Sequence, residues 1–571
     1  MPRMKGKQAV MEMLKAEGVT TVFGNPGTTE TPLIDALQDH PEVRYILALQ
    51  EASAVGMADG YARATGRPAF CNVHITVGVA NAMSLLHNAY KGGTPLVLTA
   101  GQSDTHLLIQ EPLIGSDQAR HVPFAKWSAE VLHARELPMA LRRAFRVAGT
   151  PPTGPVFLSL PWNVLDEEDE VEIAPSSPIY PRVRPDAEAV EKAAALLARA
   201  RHPLLLLGDR VAQAGAVEEA VEVAELLGAR VYASAYSEVN FPNAHPQSLG
   251  GLTASWASRS LQEALAPVDV LLVVGADILT MFAYTAQRLL GPKTRIVHLD
   301  SQPRDIEKRY ATEVGMVGDP KAGLGDLASA LRQAMDGEAR EEAKSRREAI
   351  GREKARRQAA FQQRARETGG SPRISPERMM VELATVLPAD AIVVSEAITS
   401  TGALLAAMEF RRPGDYYAGR GGSLGWGIPG ALGVKLARPD RPVVAVVADG
   451  TSMYSIQGLW TAARYNIPVK YVICNNGGYR ILKQGMAMYL TGTGRESQYV
   501  GMGFDPLPLN LARIAEAFNV PGTRVERREE LRPAYEKLLS ASGPALVDVV
   551  IDGTVPVQAL QEGYRPFAPE R

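Results

Sequence analysis

The chain has 571 residues, of which 46% are hydrophobic and 22% are charged, the balance of an ordinary globular protein. Its formal net charge of −2 excludes a global basic field that would attract nucleic acid or an anionic membrane. The apolar runs are too short to span a bilayer, and the first residues lack the pattern of a signal peptide. We therefore expect a cytoplasmic protein of about three domains, without nucleic-acid or membrane partners.

The first segment, residues 1–180, alternates short apolar strands with amphipathic helices. Its predicted strands are TTVFG, RYILAL, PAFCNVHI, TPLVLTAG and PVFLSLP, and a helix is predicted from Glu51 to Ala64. This alternation predicts a parallel sheet with helices on both faces.

The later segments repeat the pattern. Residues 188–335 contain HPLLLLGD, ARVYAS, VDVLLVVGAD and RIVHLD, which predict a Rossmann-like sheet, but no G-x-G-x-x-G fingerprint follows Gly208. Residues 336–374 are charged and predict an exposed helix and a linker. Residues 375–555 contain AIVVSE, PVVAVVADG, VKYVICNN and PALVDVVID, and residues 556–571 form a polar tail. The predicted fold class is α/β, with three doubly wound parallel-sheet domains.

The most informative stretch is VVAVVADGTSMYSIQGLWTAARYNIPVKYVICNNGGYRIL, in which two apolar strands end in Asp449-Gly450-Thr451 and in Asn475-Asn476-Gly477-Gly478. Parallel strands joined by a helix end at the same edge of a sheet, where doubly wound folds bind ligands. Mg²⁺ prefers hard oxygen ligands together with phosphate. Such oxygens are available on the carboxylate of Asp449, the amide of Asn476 and the backbone carbonyl of Gly478. Gly450 lets the backbone approach a ligand closely, and Thr451 opens a helix N-terminus toward phosphate.

The paired motif resembles that of thiamine-diphosphate enzymes, with Ala448 in place of the motif's first glycine. The chain as a whole resembles the pyruvate-oxidase and acetohydroxyacid-synthase superfamily, and within it the benzoylformate decarboxylase branch. The resemblance is carried by GNPGTTE (24–30), RYILALQEASAVGMADGYARATGRPAFCNVH (44–74), GVANAMSLLHNAY (78–90), TPLVLTAGQ (94–102) and GGSLGWGIPGALGVKLA (421–437). It implies a pyrimidine-binding domain, a central domain and a diphosphate-binding domain, with thiamine diphosphate and Mg²⁺ as cofactors.

The resemblance also implies roles for individual residues. Glu51 matches the glutamate that activates the aminopyrimidine, and Leu424 matches the apolar residue that wedges the cofactor into its bent form. His74 matches a catalytic histidine, and Thr28 matches a serine that contacts the substrate carboxylate. The remaining residues expected to line the cofactor are Asn25, Pro26, Gly27, Gly422, Tyr454 and Tyr479.

The substrate pocket departs from the benzoylformate decarboxylase pattern. An ungapped count puts Phe282 where that branch has a second histidine, and Ile481 also borders the expected pocket. Arg420 and Gln110 are further candidates for the rim, with a surface position as the alternative. The resemblance implies non-oxidative decarboxylation of a small 2-oxo acid to an aldehyde. An acetolactate-synthase-like carboligase and a 2-hydroxyacyl lyase remain as alternatives. It further implies a homodimer or homotetramer with active sites at the subunit interface.

Overall fold

Three α/β units, each built on a six-stranded sheet, make up the computed structural model, which describes residues 2–178, 180–234, 236–252, 259–279, 289–367, 373–491 and 493–563. The first unit contains strands β1 Arg3–Lys5, β2 Thr21–Asn25, β3 Arg44–Leu47, β4 Ala69–Val73, β5 Leu96–Gln102, β6 Ser128–Glu130, β7 Pro155–Pro161 and β8 Glu168–Glu170. Its helices are α1 Gly6–Ala16, α2 Thr31–Leu37, α3 Glu51–Thr65, α4 Ile75–Gly92, α5 Leu137–Gly149 and α6 Trp162–Asp166.

The second unit contains strands β9 Pro203–Leu207, β10 Arg230–Ala233, β11 Ser248–Gly251, β12 Val270–Val274, β13 Arg295–Asp300 and β14 Val314–Val317. Its helices are α7 Ala187–Ala198, α8 Asp209–Gln213, α9 Val217–Leu227, α10 Arg259–Leu265 and α11 Pro320–Ala334, and the long helix α12 Gly337–Arg366 follows them. The charged stretch after residue 336 is therefore helical, as predicted.

The third unit contains strands β15 Ile392–Glu396, β16 Tyr416–Ala418, β17 Val443–Ala448, β18 Val469–Asn475, β19 Gly522–Val525 and β20 Ala545–Val550. Its helices are α13 Pro376–Val386, α14 Thr401–Ala407, α15 Gly427–Ala437, α16 Asp449–Ser452, α17 Gly458–Arg464, α18 Arg480–Tyr489, α19 Leu511–Ala517, α20 Leu531–Ser540 and α21 Val557–Gly563.

Neighbouring strands in the three six-stranded sheets are parallel throughout the described residues. The strand orders are β3-β2-β4-β5-β7-β6, β11-β10-β9-β12-β13-β14 and β16-β15-β17-β18-β20-β19. In the first sheet the order reverses between β2 and β4, and in the third it reverses between β15 and β17. Such reversals open a crevice at the carboxyl ends of the strands. The predicted three-domain α/β fold is confirmed.

Helix α3 of the first unit packs closely on α15 of the third. A Cβ added to Gly433 would stand 1.9 Å from the Met57 carbonyl oxygen, and one added to Gly60 would stand 2.2 Å from the Gly430 carbonyl oxygen. Only residues without a side chain allow two backbones to approach this closely. The contact therefore fixes the first and third units relative to each other.

Within the described part of the chain, no helix combines the length and apolar character needed to cross a membrane.

The predicted tail begins with α21, where the Gln561 side chain donates to the Ala487 carbonyl of α18 at 3.3 Å.

Candidate active site

The carboxyl ends of β17 and β18 bring together the three predicted metal ligands. Asp449 is buried at the start of α16, and its Oδ2 accepts the backbone N–H groups of Gly477 at 2.8 Å and Gly478 at 3.2 Å. Burial raises the pKa of Asp449 to about 6, although these N–H groups act in the opposite direction. The carboxylate is thus held against the turn that follows β18, with its second oxygen directed elsewhere.

Two oxygens at this edge fit a bound cation. Asp449 Oδ1 and Asn476 Oδ1 are buried and accept no hydrogen bond from any residue that the structure describes. A buried oxygen without a donor is costly, and a hard cation would satisfy both. The Gly478 carbonyl accepts the Arg480 N–H at 3.1 Å and retains a second lone pair. These three oxygens are donors of the kind that would hold Mg²⁺ beside a diphosphate.

The loop before α15 borders the same edge. Leu424 is half-buried, and a Cβ on the following Gly425 would stand 2.7 Å from that of Tyr454. Tyr479 lies against Gly450, at 2.8 Å from a Cβ built there. The sheet edge thus unites Leu424, Tyr454 and Tyr479 with the predicted metal ligands, while Gly422 is exposed in the same loop and Thr451 is buried.

The switch point of the first sheet carries a second group of candidate residues. His74 follows β4 and directly precedes α4, and its Nδ1 lies 2.9 Å from Oε2 of Glu30 and 3.2 Å from the Thr29 hydroxyl. A Cβ on Gly27 would stand 2.0 Å from His74 Nδ1, so the absence of a side chain there makes room for the imidazole. Because a carboxylate only accepts hydrogen bonds when ionised, Nδ1 is the donor and Nε2 is left for a ligand.

Glu30 holds this group together through several hydrogen bonds. Its side chain is 1% exposed, and it accepts backbone N–H groups from Gly27 at 2.8 Å and Gly101 at 2.7 Å, in addition to His74. This role of Glu30 was not predicted from the sequence, although the residue lies in GNPGTTE. The available signal was an acidic side chain shortly after a buried strand, where a carboxylate needs partners.

Glu51 begins α3 beside this group. It is 7% exposed and accepts a hydrogen bond from the Asn81 side chain at 3.0 Å. A Cβ on Gly78 would stand 3.1 Å from Glu51 Oε1 and 3.2 Å from the Cβ of His74, so both side chains border the first turn of α4. The structure therefore places Glu51 and His74, the two residues implied by the resemblance, close together.

The other predicted residues fall in different surroundings. Asn25 and Pro26 are half-buried after β2, Thr28 is exposed in the turn that follows, and Ile481 is 46% exposed on α18. Phe282 lies outside the described residues.

Arg420 is not on a pocket rim or at the surface: it is buried between domains, with hydrogen bonds to each of the two other units.

Glu396, at the end of β15, is a second residue that the sequence analysis missed. Its carboxylate accepts the backbone N–H groups of Gly425 at 3.0 Å, Trp426 at 3.3 Å and Gly427 at 2.8 Å. Burial raises its pKa to about 7, against the effect of these donors. It fixes the backbone directly after Leu424.

Models of three protein-family domains match the chain and define its class. Residues 4–120 match the N-terminal TPP binding domain of thiamine pyrophosphate enzymes, residues 190–327 match the central domain and residues 398–549 match the C-terminal TPP binding domain. The chain belongs to the thiamine pyrophosphate enzymes.

Relatives within this family include a benzoylformate decarboxylase and an acetolactate synthase. The chain is 35% identical to benzoylformate decarboxylase of Pseudomonas aeruginosa over 95% of its length and 98% of the relative. It is 28% identical to a probable acetolactate synthase large subunit of Methanocaldococcus jannaschii, over 98% of this chain and 93% of the relative.

Solved structures agree. Benzoylformate decarboxylase of Polynucleobacter necessarius superposes with a TM-score of 0.83 at 28% identity, over 96% of this chain and 99% of that one. The 4-hydroxybenzoylformate decarboxylase of Rhodococcus jostii gives 0.82 at 29% identity, with the same coverage. The chain is thus a thiamine-pyrophosphate-dependent enzyme related to benzoylformate decarboxylases and acetolactate synthases.

Proposed function

We propose that this enzyme is a Mg²⁺-dependent decarboxylase that converts a benzoylformate-like 2-oxo acid to an aldehyde. The observation that carries the proposal is the pair formed by Glu51 and the Glu30-bound imidazole of His74 at one sheet edge. A sequence identity of 35% to a benzoylformate decarboxylase, over 95% of this chain, supports the proposal.

Each residue of the site has a defined task in this proposal. When bound, thiamine diphosphate would supply the nucleophilic carbon and would accept the electron pair of the C–C bond that breaks as carbon dioxide leaves. Glu51 holds a proton at the aminopyrimidine ring. The burial of Glu51 beside Asn81 excludes water and so favours this hydrogen bond. His74 Nε2 transfers a proton to or from the substrate oxygen, and the exposed Thr28 hydroxyl hydrogen-bonds the substrate carboxylate.

Metal binding completes the site. Asp449, Asn476 and the Gly478 carbonyl would hold Mg²⁺, which neutralises the diphosphate. Asn25, Pro26 and Gly27 would line the cofactor from the first unit. We also propose the predicted segments 1–180, 188–335 and 375–555 as the pyrimidine-binding, central and diphosphate-binding domains, and the cytoplasmic location remains a prediction.

We further propose that two subunits share each active site. His74 directly precedes α4, whereas Asn88 near the end of that helix is hydrogen-bonded to the backbone of Ser423, at 2.8 and 3.0 Å. At a rise of 1.5 Å per residue the fourteen residues from His74 to Asn88 span about 21 Å. Within one chain, Leu424 is therefore far from the His74 group. A partner subunit would have to supply the half of the active site that faces His74.

Exposed apolar side chains support the same proposal. Leu49 is 45% and Val77 is 51% exposed near Glu51 and His74, while Tyr454 is 54% exposed beside Leu424. Apolar surface grouped around functional residues is typical of a face that is covered in the assembly. A two-fold axis would cover both faces at once, giving a homodimer or a homotetramer of paired dimers.

Complementation between two inactive variants tests the shared site and its residues together. Glu51→Gln subunits and Asp449→Ala subunits are each expected to be inactive, and after subunit exchange a mixed dimer has one site with both defects and one with neither. Decarboxylation of benzoylformate should recover toward a fraction of the wild-type rate. If exchange is verified by mass and no activity returns, each site is built within one chain.

Carboligation is a second candidate. It rests on Phe282 at the position of the second histidine, because a phenyl ring cannot deliver the proton that releases free aldehyde. Acetolactate synthases among the relatives support it. Phe282→His should raise the ratio of aldehyde to ligation product when an acceptor aldehyde is present. An unchanged ratio would remove Phe282 from the pocket.

A further inference from the structure

Five charged side chains form a buried cluster where the three units meet, and the proposed reaction uses none of them. Their exposed fractions range from 2% for Arg63 to 15% for Asp209. We name this the junction cluster; its members are Asp59 and Arg63 of α3, Asp209 and Glu238 of the second unit, and Arg420 of the third. Buried charges are expensive unless they are paired and hydrogen-bonded, and each of these five is paired within the cluster.

Glu238 lies at the centre of the cluster. Its Oε1 accepts hydrogen bonds from Arg63 Nε at 3.0 Å and from Arg420 Nη2 at 2.5 Å. Arg420 also donates to the Ser237 hydroxyl at 2.8 Å and to the Gly92 carbonyl at 2.6 Å. The guanidinium of Arg420 is therefore tied to both other units, and the Ser237–Glu238 segment of the second unit supplies two of the acceptors.

Trp426 is held in a similar way. Its indole Nε1 donates to Asp59 Oδ2 at 2.6 Å, and the Arg63 guanidinium lies 4.8 Å from the ring centroid. A cation over an indole ring adds attraction to the hydrogen bond. Because Arg63 also binds Glu238, the contacts of Trp426 and of Arg420 belong to one network.

Arg420 and Trp426 are the two ends of the loop that carries Leu424. Three of the five residues between them are glycines in the left-handed region: Gly421, Gly422 and Gly425, with φ of 74°, 93° and 97°. Such residues have no side chain to restrict the backbone, so the loop needs anchors from outside. The junction cluster provides one at each end, in addition to Glu396 and Asn88.

We propose that Glu238 is a positioning residue that fixes the loop from Arg420 to Gly427 and thereby sets the location of Leu424. This gives the second unit a direct part in shaping the cofactor site, through Arg420 and Arg63. The step from the loop to Leu424 as cofactor support rests on the proposed function. The step from Glu238 to the order of the loop rests on the contacts alone.

The test is Glu238→Gln, which keeps the size of the side chain and removes its charge. Hydrogen exchange of the backbone amides of residues 421–427 in the cofactor-free protein should accelerate about tenfold, since a hydrogen bond to a charged group is worth at least that factor. With saturating thiamine diphosphate and Mg²⁺, exchange of the cofactor C2 proton should slow by about the same factor. Cofactor affinity should change less, because the metal ligands lie outside the cluster.

The matched control is Arg230→Met, which removes another ion-paired arginine of the second unit. Arg230 lies on β10 and binds Glu353 of α12 at 2.7 Å. This variant is expected to lower the melting temperature while leaving loop exchange and C2 exchange unchanged. If it accelerates loop exchange as much as Glu238→Gln does, or if Glu238→Gln leaves the loop as protected as in the wild type, the positioning role is wrong.

A milder variant covers the case in which Glu238→Gln does not fold. Glu238→Asp keeps the charge but shortens the side chain, which withdraws the carboxylate from Arg63 and Arg420, and the same faster loop exchange is expected. A loop with wild-type protection in Glu238→Asp would then overturn the proposal. If the wild-type protein binds no thiamine diphosphate, the proposed function fails, while the loop exchange still decides whether Glu238 acts as stated.

Discussion

Substitution of Glu30 by glutamine tests how the His74 imidazole is held in place. One carboxylate oxygen accepts the Gly101 N–H at 2.7 Å and the other accepts the Gly27 N–H at 2.8 Å, together with His74 Nδ1. A glutamine amide has one oxygen, so in either orientation its NH₂ group faces a backbone N–H. At least one buried donor then loses its acceptor, at a cost of about 1–3 kcal/mol, and the charge-assisted bond to His74 weakens as well.

We therefore expect Glu30→Gln to lower the free energy of unfolding by about 2–4 kcal/mol, measured by urea denaturation without cofactor. We also expect kcat/KM for benzoylformate to fall about a hundredfold, the lower range of what a positioned acid–base group contributes. The two effects are separated by a double-mutant cycle with His74→Ala. If Glu30 acts through His74, the double variant is no slower than His74→Ala alone. Additive losses in kcat/KM would refute the reasoning.

Three further outcomes follow from other contacts. Asp449→Asn should abolish Mg²⁺-dependent cofactor binding in calorimetric titration, and an unchanged affinity would contradict the ligand assignment. The pKa of Glu396 is raised from 4.5 to about 7, so between these pH values the folded state binds a proton that the unfolded state does not. The free energy of unfolding should therefore fall by about 3 kcal/mol as the pH rises from 4.5 to 7. Denaturation at both pH values should show this fall in the cofactor-free wild type and not in Glu396→Gln. Gly433→Ala should destabilise the protein by about 1–3 kcal/mol or more, because its methyl group would overlap the Met57 carbonyl, and a melting temperature equal to that of the wild type would show that the helices can separate freely.

The sequence by itself determined the architecture. Short apolar runs alternating with amphipathic helices are local properties, and they were enough to predict three parallel sheets. The closeness of Asp449 and the Asn476 turn was also predictable, because both follow strands that a helix joins, and parallel strands end on one side of the sheet. Glu51 and His74 are different, because their roles were implied by the resemblance to the family and not by their positions after strands.

Only the tertiary structure decided which side chains hold the functional ones. Glu30 and Glu396 each have a carboxylate whose partners are backbone N–H groups, and which N–H groups converge on it depends on how strands and loops pack. Arg420 is the clearest case: local sequence suggested a surface or rim residue, but its acceptors come from positions 92, 237 and 238. Long-range hydrogen bonds of this kind have no signature in the periodicity of the chain, because they arise from the contact between domains.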